Sequence, residues 1–151
     1  MKRCISRAVC LVLGGILGTG CHIYEQEHPA PEYGVPSARY ILDGVVTARA
    51  TGQPVPDIRI FLSRNERPDS SAVTSSGVDG RWRLDTTTFP CNESCAVVTS
   101  DVDGSENGGT FARTTVPLHL AQTDRGDGHW NWGTFEQHGI NVSVDPQTAE
   151  E

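Results

Sequence analysis

From residue 38 onward, short β-rich runs alternate with turn chemistry every eight to twelve residues, and no stretch of eleven or more positions keeps an apolar period of 3.6. Residues 57–63 (DIRIFLS) carry the clearest pattern, because Ile58, Ile60 and Leu62 recur at every second position and so share one face of a strand. A first strand is expected over 39–49. Thr51-Gly52-Gln53-Pro54-Val55-Pro56 then forces a turn through the backbone limits of Pro and Gly. Residues 71–75 and 81–85 flank Gly77-Val78-Asp79-Gly80 and read as a hairpin with Trp82 and Leu84 inward. Three more strands are expected over 95–100, 110–116 and 139–144. The predicted architecture is therefore all-β, a single antiparallel two-sheet sandwich of about seven strands spanning 38–146.

The first twenty residues belong to a different pattern. Lys2, Arg3 and Arg7 precede an apolar run from Ala8 to Leu17, which is far shorter than the roughly 20 residues a membrane-spanning helix needs. The run closes on Thr19-Gly20-Cys21, the form of a bacterial lipoprotein processing site, with Gly18 where such sites prefer Leu. Residues 1–20 are expected to be a signal peptide, with acylation, palmitate included, at Cys21. An ordinary secretory signal is the alternative. His22 stands where an Asp would retain a lipoprotein at the inner membrane, so the expectation is the outer membrane of a diderm envelope. Residues 21–37 hold Glu25, Glu27, Glu32, Pro29, Pro31 and Pro36 with few aliphatic side chains, and read as a solvated tether. Residues 147–151 read as a disordered tail.

Composition narrows the partners. After the signal the chain keeps nine Arg and no Lys against nineteen Asp and Glu, a formal charge near −10. Such a surface repels phosphates, which argues against nucleic acid and leaves the membrane to be reached through lipid rather than charge. Cys4 and Cys10 leave with the signal and Cys21 carries lipid, so Cys91 and Cys95 remain as a pair for a disulfide in an oxidising compartment. The other reading, a metal or redox site, lacks the two-residue spacing of zinc and thioredoxin-like motifs.

Two segments offer candidate chemistry. Asp101, Asp103, Glu106 and Asn107 place hard oxygen ligands in a glycine-bearing loop, the donor type calcium takes, although the spacing is not that of an EF-hand; a solvated acidic turn is the competing reading. Trp130 and Trp132 lie in a Gly-rich segment and would share a side if extended, forming a platform for a sugar ring or a partner's pocket, or else a cover for an open end of the sandwich. His119, His129 and His138 are separated and read as surface residues. The sequence carries no G-x-S-x-G, H-E-x-x-H or phosphate-cradling glycine loop, and no catalytic residues are assigned.

Gly44-Val45-Val46-Thr47, the Thr51–Ile60 stretch and Val78-Asp79-Gly80-Arg81-Trp82-Arg83-Leu84 resemble the carboxypeptidase-regulatory-like, transthyretin-like sandwich. Tyr33-Gly34-Val35-Pro36, Thr88-Phe89-Pro90 and the block from Asp101 to Ala112 are similar to the radical-SAM-associated lipoproteins. That resemblance implies a small exported lipoprotein encoded near a radical S-adenosylmethionine enzyme, with an accessory or substrate role and no catalytic residues. Cys91-x-x-x-Cys95 also looks like the start of an iron-sulfur motif, but Val98 stands where a third cysteine would be, so the chain is not itself the radical enzyme. The expected function is that of a non-enzymatic envelope lipoprotein whose sandwich serves binding, structure or accessory work. The alternatives are a substrate of the radical enzyme and a carbohydrate-binding module built on Trp130 and Trp132.

Overall fold

A computed structural model describes residues 34–65, 67–91 and 94–147. The signal, Cys21, most of the tether and the tail from 148 lie outside the described residues. Eight strands form: β1 (Ser37–Ala48), β2 (Ile58–Arg64), β3 (Arg67–Ser75), β4 (Arg81–Thr88), β5 (Cys95–Asp101), β6 (Thr115–Pro117), β7 (Ala121–Asp124) and β8 (Asn131–Val144). They make two four-stranded sheets, ordered β4-β1-β8-β7 and β3-β2-β5-β6. The all-β sandwich is as expected, with one strand more than the seven read from the sequence.

The period-two pattern sets what is buried. Ile58, Ile60 and Leu62 of β2 are 1% exposed or less, and they meet Tyr40, Leu42 and Val46 of β1 with Val142 and Val144 of β8 in one core. Trp82 and Leu84 turn inward as their alternation requires. Burying these side chains supplies the main favourable term, roughly 1.5–3 kcal/mol for each large aliphatic or aromatic residue.

Three expectations about connectivity are corrected. First, β3 and β4 are not a hairpin: β3 pairs with β2 in one sheet and β4 with β1 in the other. The turn at 77–80 is a corner between sheets. The Ser76 hydroxyl donates to the Val55 carbonyl (2.8 Å) and accepts from the Ile58 amide (3.0 Å), which fixes the end of β3 to its own sheet. The Val46 amide meanwhile donates to the Gly80 carbonyl at 2.8 Å and captures the next residues for β1. Second, the strand expected over 110–116 shortens to Thr115–Pro117, because the segment before it is held elsewhere: Phe111 bridges to Pro146, and the Ala112 amide donates to the Asp145 carbonyl (2.8 Å). The same contacts reach Gln147, whose amide donates to the Thr110 carbonyl at 2.8 Å. Third, the sandwich is not purely antiparallel. β1 and β8 run parallel through the middle of their sheet, since the chain returns to β1 only after crossing to the other sheet and back, and local pattern does not encode its direction.

That parallel pair is tight and irregular. Gly44 faces Ile140, and a β-carbon on Gly44 would run into the Ile140 carbonyl oxygen, so only glycine lets the backbones approach here. Between Leu42↔Gln137 and Gly44↔Ile140 the register shifts, with His138 and Gly139 of β8 opposite Asp43 alone. Asp43 closes this bulge. Its carboxylate accepts from the Gly139 amide (3.1 Å) and bonds the His138 ring at 2.5 Å, while Glu136 lies 3.2 Å from the other ring nitrogen.

Gly44→Ala should destabilise the fold by about 2–3 kcal/mol in urea unfolding, through overpacking against rigid backbone. An unchanged midpoint would mean that the β1–β8 approach is looser than described.

The bulge also predicts a pH dependence. The Asp43 hydrogen bond, followed by that of Glu136, holds the His138 imidazolium above its ordinary range; the His138 bond holds the Asp43 carboxyl below its own, and the Thr123 hydroxyl, followed by His138, does the same for Glu136. A histidine raised in the folded state contributes stability that is complete below its unfolded pKa, near 6.5, and is lost as pH rises through the higher folded value. His138→Gln should therefore flatten the stability profile on the alkaline side of pH 6.5, read by chemical denaturation across that window. A wild-type profile already flat there would contradict the ion-paired bulge.

Candidate functional site

Trp130 and Trp132 sit on the β7–β8 hairpin, the first in the turn and the second as residue two of β8. They remain 39% and 41% exposed, among the largest apolar side chains that the described residues offer to solvent. The turn beneath them is held at many points. One Asp127 carboxylate oxygen accepts from the His129 amide (2.8 Å) and the Asn131 amide (2.9 Å), and these bonds hold the Asp127 carboxyl below the usual carboxylate range. The Asn131 side-chain oxygen accepts from the Gly133 amide at 2.9 Å, and the Gln122 amide group donates to the Trp132 carbonyl at 2.9 Å. The Gly-rich segment between β7 and β8 is thus a hydrogen-bonded turn. Its backbone is held before contact, which lowers the backbone part of the entropic cost of binding through the two indoles.

The hairpin is docked to the start of the sandwich. The Ser37 amide, first in β1, donates to the Trp130 carbonyl at 2.7 Å. Gly133 lets the hairpin close on itself: its φ is +86°, and a β-carbon there would strike the Asp124 carbonyl across the turn. The alternate spacing of the two tryptophans predicts a shared face only for extended chain, and Trp130 lies in the turn before β8 begins.

The four acidic-loop residues come together as a clasp. Asp101 Oδ2 accepts from the Phe111 amide at 2.7 Å, and Oδ1 accepts from the Asp103 and Gly104 amides at 3.1 and 3.2 Å. Burial alone would raise the Asp101 carboxyl, yet these donors hold it below the ordinary range. Asn107 turns its amide NH2 to Asp57 (3.0 Å) and to Asp103, so it meets the carboxylates as a donor. Glu106 closes the loop through its carbonyl, which accepts from the Gly109 amide at 3.3 Å. The clasp sets Phe111 against the core, where it is 8% exposed. Among the described residues no three His, Cys, Asp or Glu side chains are grouped to hold a metal ion.

Cys91 and Cys95 are joined in a disulfide, with Cα atoms 5.7 Å apart. It staples the crossover from β4 to β5, closing a small loop worth about 2 kcal/mol in the chain-entropy account. The Tyr40 hydroxyl accepts from the Cys91 amide at 2.6 Å, and the Tyr40 ring stacks on Phe135 at 5.8 Å, so the staple is tied to the core of the opposite sheet.

The sequence reading missed a second polar knot. Asp69 lies where β3 bulges away from β2, and its side chain is only 9% exposed. It accepts from the Ser71 amide (2.9 Å), the Ser71 hydroxyl (2.6 Å) and the Thr88 hydroxyl (2.6 Å), and pairs with Arg64 at 3.1 Å. Burial pushes its carboxyl up, but the hydrogen bonds and the Arg64 charge outweigh this and bring it down to about 2. Thr88 belongs to β4, so Asp69 links the edge strands of the two sheets. An Asp among serines reads from sequence as turn chemistry, and nothing local marks it as a cross-sheet tie.

Comparison of the sequence with protein-family models and with curated proteins yields no match.

Gly133→Ala should open the hairpin at its closing bonds. We expect a loss of about 1–3 kcal/mol in stability and a red shift of tryptophan emission toward that of solvated indole. Native emission and stability in this variant would show that Gly133 does not constrain the turn.

Proposed function

We propose that the protein is a non-enzymatic lipoprotein of the bacterial cell envelope, anchored by acylated Cys21, whose β-sandwich is a binding module that meets its partner through the Trp130/Trp132 hairpin. The basic, apolar and small-residue succession ending at Cys21 supports the anchor and, with His22, an outer-membrane address. The observation that carries the binding role is the pair of two-fifths exposed indoles on a turn stitched by hydrogen bonds. Exposed aromatic groups on rigid backbone are the usual energetic centres of contact surfaces. A sugar ring is a partner that fits, because indole faces stack on its C–H surface. The likeness of the Asp101–Ala112 block to radical-SAM-associated lipoproteins supports an accessory role beside such an enzyme, or a substrate role under it.

Intact mass of the mature protein extracted from membranes tests this directly. The expected species begins at Cys21, carries acyl chains and gains two hydrogens on reduction; Cys21→Ser should release the protein from the membrane fraction. An unacylated mature form would remove the anchor. A further mass shift on one side chain would favour the modified-substrate role over the binding module. On a glycan array, binding by the wild type that disappears in the Trp130→Ala/Trp132→Ala double variant would support the sugar, and a silent wild type would oppose it.

A further inference from the structure

Alternation along β2 turns Leu62 into the core and Ser63 to the opposite face of its sheet, and the same parity in β5 sends Val97 inward and Ala96 and Val98 outward. On that outer face lies a cleft of about 670 Å³, bounded by β5, β6 and the start of β3. Its volume falls within the roughly 300–1,000 Å³ typical of small-molecule sites. Ala96, Val98, Pro117 and Leu118 give it an apolar lining, and Val98 is only 4% exposed although it does not face the core.

Polar groups in the cleft point to one kind of occupant. Arg113 is exposed at its wall and forms no ion pair with any carboxylate among the described residues, in a chain whose formal charge is −7. Among the described residues Arg59, Arg67, Arg83 and Arg125 likewise show no ion pair, but only Arg113 lines the cleft, where its guanidinium is an open two-pronged donor. His119 lies at the same rim. Ser63 is 1% exposed, and its hydroxyl is buried with no hydrogen-bond partner, although buried polar groups are nearly always paired.

We infer that this cleft binds a small organic carboxylate: the acid group on Arg113, the apolar body along Ala96, Val98 and Pro117, and the Ser63 hydroxyl at the floor supplied with a partner. The inference stands apart from the tryptophan hairpin, which belongs to the other sheet, and does not depend on the membrane anchor.

The probe is 2-naphthylacetate, with the neutral 2-naphthylacetamide as its isostere, titrated into the full-length chain with its disulfide intact and followed by amide chemical shifts. Saturable binding of the acid is expected, with shifts centred on Ala96, Val98 and Thr115 and at least tenfold weaker binding of the amide. Arg113→Gln should weaken the acid at least tenfold and leave the amide unchanged; this exposed residue can be replaced without touching the core. No saturable binding, equal affinity for acid and amide, or shifts centred on the Trp130/Trp132 hairpin would overturn the assignment.

Discussion

The parallel contact between β1 and β8 is the joint on which the other features of the structure rest. These are the two longest strands, they occupy the middle of one sheet, and between them they contribute Ala38, Tyr40, Leu42, Val46, Ile140, Val142 and Val144 to the core. The close approach at Gly44 brings the backbones together, and the Asp43–His138 clasp absorbs the extra residue of β8 so that pairing resumes in phase on the far side. Without the bulge a one-residue slip would send every later side chain of β8 to the wrong face. Tyr40 then extends the joint across the sandwich, stacking on Phe135 of β8 while its hydroxyl takes the amide of Cys91.

The direction of β8 also decides where the candidate binding surfaces lie. Because β8 runs alongside β1 rather than against it, the hairpin that starts β8 meets the residue that starts β1, and Trp130 is hydrogen-bonded to Ser37. The exposed indoles therefore sit at the end of the sandwich where the preceding chain arrives. The carboxylate cleft is built on the outer face of the other sheet from β5 and β6. One sandwich thus offers two chemically different surfaces, aromatic at an end and cationic with an apolar floor on a face.

Much of this was legible from residue pattern, and what was not shares a physical cause. Alternation tells which face of a strand is buried, and Ile58, Ile60, Leu62, Trp82 and Leu84 are buried as it requires. It does not tell which strand lies alongside. Hence Asp79-Gly80 looked like a hairpin while its hydrogen bonds serve a corner between sheets, and the parallel sense of β8 left no local trace. β7 is four exposed residues, Ala121–Asp124, with no apolar rhythm to detect, and the first half of β8 is interrupted by shifts at residues 132–133 and 138–139 that break its period. The cysteine pair was readable because elimination left those two. Asp69 and the Ser63 hydroxyl were not, because their significance comes from residues distant in sequence. The acidic block from Asp101 to Asn107 offered the donor types of a cation site, yet which way each carboxylate and amide turns depends on Phe111 and Asp57.

Cross-strand NOEs between the first and last long strands measure the joint directly. The parallel register places Tyr40 beside Phe135 and Val46 beside Val142, and NOEs linking both pairs are the expected result. An antiparallel pairing of the same segments would reverse the order, with Tyr40 near Val142 and Val46 near Phe135. That pattern would contradict the β1–β8 joint and, with it, the placement of the tryptophan hairpin beside Ser37.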